Sequence, residues 1–271
     1  MSPSSPLARA RGLIIDMDGV LYRGHTPIPG AADFLDALRR AETPFLLLTN
    51  NSARTPVQYV AQLARMGIQV NEDRILTSGQ ATATYLRQTA AEGSRIFLIG
   101  EEGVRTALRQ EGFTLRDDAG VDYVVVGFDR ALTYDKLQTA ALAIRAGASF
   151  VGTNPDRTLP TEAGLMPGNG AILAAIQTAT DVAPLIIGKP QPIIFELALD
   201  RLATEADETA MIGDRLDTDI LGAGQCGLIT VLVLSGVTDR QQLVASGPVP
   251  DLVYEDIAAF HRDWQQAIHN R

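Results

Sequence analysis

Short apolar runs recur along this chain, each cut off by glycine, proline or polar residues and followed by a segment long enough for a helix. Leu13–Ile15, Phe45–Leu48, Ile96–Ile99, Tyr123–Val126, Leu185–Ile187, Ala210–Ile212 and Ile229–Leu234 are the main ones. A run that is apolar at every position, not at alternate ones, predicts a strand buried on both faces. Such strands separated by helices predict parallel sheet with right-handed crossovers, hence an α/β fold. The helices carry their own marks. Thr55, Pro56 and Gln58 spell an N-cap, a first-turn proline and a capping box, and Gly67 is a stop. Thr133 opens a helix over Tyr134–Arg145 that Gly147 closes. Further helices are expected around Phe34–Leu38, from Gln80 to about Ala90, over Glu101–Gln110, up to Thr178, over Pro192–Leu202 and up to Gly224. A last one carries Phe260 and Trp264 on its apolar side. Arg74–Thr77 and Phe150–Val151 read as shorter strands, and Tyr22–Pro29 and Thr153–Asn169 as loops rich in glycine and proline.

At 271 residues, 46% of them hydrophobic, the chain exceeds the usual size of one domain. Either two domains or one large domain with an insertion is expected. A formal net charge of −9 argues against nucleic acid or an anionic membrane as partner. It leaves an anionic substrate open, because a bound metal can reverse the sign inside a pocket. The single cysteine, Cys226, rules out an intramolecular disulfide. Residues 1–11 lack the apolar stretch of a signal peptide, and the first ten are expected to be a loose tail. No run approaches the length of a membrane span, so the expectation is a soluble, cytoplasmic protein.

Ligands of open α/β sheets sit beyond the carboxyl ends of the strands. Four apolar runs here end in polar groups of complementary kinds: Asp16 and Asp18; Thr49 with Asn50 and Asn51; Lys189; and Asp214 with Asp219. Each set alone could be a plain turn, as Asp18-Gly19 often is. At one sheet edge, however, carboxylates, a hydroxyl, amides and an ammonium make a kit for phosphoryl transfer with Mg²⁺. Asp16 can attack phosphorus and form an aspartyl phosphate, splitting one hard hydrolysis into two easier steps. Mg²⁺ held by Asp16 and Asp214 would offset the anionic phosphoryl group. Asp18 can protonate the leaving oxygen and later deprotonate water, helped by neighbouring carboxylates that raise its pKa. Lys189, Thr49 and Asn50 can bind the phosphoryl oxygens.

These residues resemble the motifs of the haloacid dehalogenase (HAD) superfamily of aspartate-nucleophile phosphatases. Asp16-Met17-Asp18-Gly19 is similar to its first motif, Thr49 to the second, Lys189 to the third and Gly213-Asp214-Arg215-Leu216-Asp217-Thr218-Asp219 to the fourth. Leu48-Thr49-Asn50-Asn51-Ser52, Gly152-Thr153-Asn154-Pro155-Asp156, Pro167-Gly168-Asn169-Gly170 and Gly188-Lys189-Pro190 resemble the NagD-like branch, which also holds p-nitrophenyl phosphatases and sugar-phosphate phosphatases. The resemblance runs from about Gly12 to Val237. It implies a Rossmann-like HAD core, a parallel sheet with helices on both faces, over residues 1–94 and 185–271. It further implies an inserted α/β cap domain over 95–184, closing on the substrate. The implied metal is Mg²⁺, held by Asp16, the backbone carbonyl of Asp18, and Asp214. Asp219 would stand behind them, orienting metal waters or Lys189. Residues near Asn154–Met166 would touch the leaving group, and the chain would form a homodimer. The implied activity is hydrolysis of small organic phosphates, with a phosphomutase or a non-catalytic phospho-ligand sensor as rival readings.

Other features have plainer explanations. Asp217 suits a solvated helix start. Asn51 either touches the phosphate or caps a turn with Ser52. Gly168-Asn169-Gly170 lacks the Lys-Ser/Thr of a P-loop and reads as a turn. Cys226 has Leu232, not arginine, six positions on, so it reads as a small buried residue and not a thiol nucleophile. His25, His261 and His269 have no metal-ligand spacing.

Overall fold

A computed structural model describes residues 6–161, 164–245 and 247–269. It divides into two compact units, one of Met1–Thr49, Tyr59–Leu76 and Phe195–Arg271, the other of Asn50–Gln58 and Thr77–Ile194.

The first unit is built on a six-stranded sheet. Its strands are β1 (Gly12–Asp16), β4 (Phe45–Thr49), β5 (Ile75–Thr77), β13 (Thr209–Gly213), β14 (Ile229–Val233) and β15 (Leu252–Tyr254). Their spatial order is β15-β14-β13-β1-β4-β5, and the pairings from β15 to β4 are parallel. A small hairpin, β2 (Tyr22–Arg23) and β3 (Thr26–Pro27), follows β1. The helices are α1 (Ala31–Arg40), α2 (Pro56–Arg65), α7 (Pro192–Leu202), α8 (Leu221–Gln225), α9 (Arg240–Ala245) and α10 (Ile257–His269). Every residue of β1, β4, β13 and β14 is buried, as expected of a parallel sheet covered by helices. Leu13, Ile15, Leu47, Ile212 and Val231 share one core with Phe34 of α1, Leu63 of α2 and Trp264 of α10. Phe34 meets Phe260 and Trp264 edge-on, at 5.5 and 5.9 Å between ring centroids. The capping box of α2 forms as the sequence predicts: Gln58 N donates to Thr55 Oγ1 at 3.2 Å, and Thr55 N to Gln58 Oε1 at 2.9 Å.

The second unit has a five-stranded parallel sheet in the order β12-β9-β8-β6-β7. Its strands are β6 (Arg95–Ile99), β7 (Thr114–Arg116), β8 (Tyr123–Val126), β9 (Ser149–Gly152) and β12 (Leu185–Ile186). Helices α3 (Ser78–Thr89), α4 (Glu102–Gln110), α5 (Tyr134–Arg145) and α6 (Asn169–Thr180) accompany it. Ile99, Val124, Val126 and Phe150 pack with Ile144 and Ile176 into its core.

Four expectations need correction. The run Leu185–Ile187 does not join the sheet of β1. Leu185 pairs with Val151 and Ile186 with Gly152, so the chain before Lys189 completes the edge of the second sheet. The stretch Thr153–Asn169 is not all loop, since it contains an antiparallel hairpin, β10 (Thr158–Thr161) and β11 (Gly164–Pro167). The loose tail does not extend to residue 10: Pro6–Ala8 forms a 3-10 turn, and Leu7 and Ala10 are buried in the first core. Residues 1–5 lie outside the described residues. The helix before Gly224 begins as a π-helical turn, Leu216–Ile220, before becoming α8. Among the described residues, no helix is long and apolar enough to cross a membrane.

Candidate active site

β1 and β13 lie side by side with Ile15 opposite Ile212. Asp16, the last residue of β1, and Asp214, just past β13, therefore emerge at the same carboxyl edge. Asp219 enters from the π-helical turn. One carboxylate oxygen from each of the three lies within 4.8 Å of the others, and all three residues are buried. Such closeness depends on absent side chains. A Cβ on Gly19 would stand 2.6 Å from Cγ of Asp214, one on Gly236 would run into the same carboxylate, and one on Gly213 into Asp219. Main-chain amides hold the acids in place. Val237 N donates to Asp214 Oδ2 at 2.6 Å, Thr238 N to the Asp214 carbonyl at 3.1 Å, and Arg215 N to Asp219 Oδ2 at 3.1 Å.

Three buried carboxylates this close repel one another unless a cation or a proton offsets them. An all-oxygen, all-anionic donor set suits a hard divalent cation, so these residues fit Mg²⁺.

Asp18 differs from Asp16: it is exposed, in a turn where Gly19 adopts φ 86°. Only glycine takes that conformation without strain. Gly19 N donates to the Tyr22 carbonyl and Ser235 Oγ to the Gly19 carbonyl, both at 2.7 Å, which fixes the turn. Thr49 ends β4. With Asp16 opposite Leu48, it lies one residue beyond Asp16 on the adjacent strand, and it is buried.

Asn50 and Lys189 come together within the second unit. Lys189 N donates to Asn50 Oδ1 at 2.8 Å, and Asn50 Nδ2 donates to the Lys189 carbonyl at 3.0 Å and to Asp156 Oδ1 at 3.1 Å. Asn154 Nδ2 donates to the Asn50 carbonyl at 2.7 Å, and Asn169 Nδ2 to the Asn154 carbonyl at 2.8 Å. Asn154 is thus part of a buried network, while Leu165 and Met166 are exposed on β11. Residues 162 and 163 of the leaving-group stretch lie outside the described residues. Asn51 caps a turn, accepting from Ala53 N at 2.8 Å, and buried Ser52 accepts from Thr153 Oγ1 at 3.1 Å. Gly170 lets the start of α6 approach the Pro155 carbonyl, where a Cβ would collide. Asp217 pairs with Arg215 at 2.9 Å on the surface. Cys226 is half-buried, and burial pushes its thiol pKa up, away from a nucleophile's. The loop Ser235–Thr238 was not singled out from sequence. Its signal was present, since Ser235-Gly236 follows the β14 run directly at the same sheet edge.

Residues 13–114 match the family model described as "Haloacid dehalogenase-like hydrolase", and 186–260 match one described as "HAD-hydrolase-like". The chain belongs to the haloacid dehalogenase-like hydrolases. Within them it falls in the phosphatase branch that includes NagD and the p-nitrophenylphosphatases. It is 41% identical over 247 residues, 91% of this chain and 94% of the other, to an acid sugar phosphatase of Staphylococcus haemolyticus. A 4-nitrophenylphosphatase of Thermotoga maritima superposes with a TM-score of 0.90 at 33% identity, covering 95% of this chain and 98% of the other. NagD from E. coli K-12 superposes at 0.85 with 35% identity, covering 92% and 97%.

Proposed function

We propose that this enzyme hydrolyses small organic phosphomonoesters, sugar phosphates and aryl phosphates among them, through an aspartyl phosphate on Asp16. The observation that carries this reading is the buried cluster of Asp16, Asp214 and Asp219 at one strand edge, with exposed Asp18 two residues from Asp16. The names of the relatives support the substrate classes. Asp16 Oδ attacks phosphorus, and the bond to the ester oxygen breaks as Asp18 gives that oxygen a proton. Asp18 then takes a proton from water as the water attacks the phosphoryl group, freeing Asp16 and inorganic phosphate. Asp16, Asp214 and the Asp18 carbonyl would hold Mg²⁺, with Asp219 behind them. When bound, the ion supplies positive charge against the phosphoryl oxygens. Thr49 and Lys189 bind those oxygens in this reading, and residues 95–184 serve as the cap.

The test is phosphate release from p-nitrophenyl phosphate and a panel of sugar phosphates, with Mg²⁺ or with EDTA. Release is expected with Mg²⁺, is lost in EDTA, and falls by at least ~10³-fold in Asp16→Asn. Turnover retained in that variant would sink the nucleophile assignment.

A further inference from the structure

Asn50 has an amide whose hydrogen-bonding groups are committed inside the protein. An amide NH₂ carries two donor hydrogens. In Asn50 one goes to the Lys189 carbonyl at 3.0 Å and the other to Asp156 Oδ1 at 3.1 Å, while Oδ1 receives Lys189 N at 2.8 Å. The orientation is unambiguous, because a flipped amide would set N–H against N–H and oxygen against oxygen. The side chain therefore grips both main-chain groups of Lys189, as a neighbouring strand would. Gly188 makes room for it: a Cβ there would lie 2.7 Å from Asn50 Oδ1 and 2.5 Å from the Thr153 carbonyl. Asn50 is itself held, its carbonyl receiving Asn154 Nδ2 and Ser78 Oγ.

We infer that Asn50 is a positioning residue that acts through Lys189, tying its backbone to Asp156, and that its side chain does not bind the phosphoryl oxygens. This role rests on the proposed reading of Lys189 as a phosphoryl-binding group. The side-chain assignment of Asn50 drawn from sequence is thereby revised. Both hydrogens that could have reached a phosphate are already used.

A double-mutant cycle tests it, with kcat/KM for p-nitrophenyl phosphate as readout. Asn50→Ala is expected to lower kcat/KM about 10- to 100-fold in the parent enzyme but under about 3-fold in Lys189→Met, because groups acting as a unit are non-additive. A general structural defect would cost the same in both backgrounds. Asn50→Leu keeps the branched shape without polar atoms, and completes the cycle if the alanine variant does not fold. Equal losses in the two backgrounds, with Lys189→Met itself impaired, would overturn the inference and leave the proposed function standing. Unchanged turnover in Lys189→Met alone would overturn the reading of Lys189, and this inference with it.

Discussion

Gly19, Gly213 and Gly236 leave the space in which Asp214 and Asp219 stand. Adding one methyl group at Gly236 should displace the Asp214 carboxylate while every acidic residue remains. Gly236→Ala is therefore expected to raise the Mg²⁺ concentration for half-maximal activity about tenfold or more. The overpacking should cost about 1–3 kcal/mol of stability. Activity titrated against Mg²⁺, beside a melting curve, checks both; an unchanged Mg²⁺ requirement would contradict the crowding argument. The place of Asp16 and Asp214 at one sheet edge was legible in the sequence, because a carboxylate directly after a fully apolar run has few other places to go. Gly236 was not, since its importance lies in what a neighbour needs. The hydrogen-bond partners of the Asn50 side chain were not legible either. Its residue type suits a phosphate ligand and a backbone clamp equally well, and only the folded chain shows where its two donors point.

At the scale of elements, burial set what could be read. The strands β1, β4, β13 and β14 stood out because both of their faces are covered. The strand β12, two residues long, carries no pattern that assigns it to one sheet or the other. The hairpin β10–β11 reads as loop in the sequence because Pro160 and Pro167 each remove a backbone donor, which argues against strand. The docking of α10 gives two predictions. Trp264 is buried and edge-on to Phe34, so Trp264→Ala should cost about 3–5 kcal/mol in denaturant unfolding. His261 lies tilted against Phe34 at 5.4 Å. Burial lowers its pKa below 6.5, Arg40 and Arg262 add to the lowering, and Asp33 opposes it. The unfolded chain therefore binds the proton first as pH falls, and stability should drop below about pH 6.5. His261→Gln is expected to flatten that part of the stability–pH curve, and a variant with the parent's slope would remove His261 as the cause.

For the molecule as a whole, an ion held by the cluster of buried acids would make binding and folding one equilibrium. A cation that binds only the folded chain adds about 2.7 kcal/mol at a hundred times its Kd. Mg²⁺ should thus raise the Tm of the parent, and Asp214→Asn should abolish the rise. A rise that survives in the variant would place the ion elsewhere. The α/β class was plain from the alternation of apolar runs with capped helices, whereas the pairing of those runs into two sheets needed the register. Asp16 and Asp18 stand two positions apart and belong to different solvents. Asp16 is 8% exposed at the end of a strand with no open face, while Asp18 projects from a glycine turn into water. In the proposed mechanism the proton given to the leaving group returns from the attacking water, so the wet side of this divide is where Asp18 would meet that water while Asp16 stays out of bulk solvent.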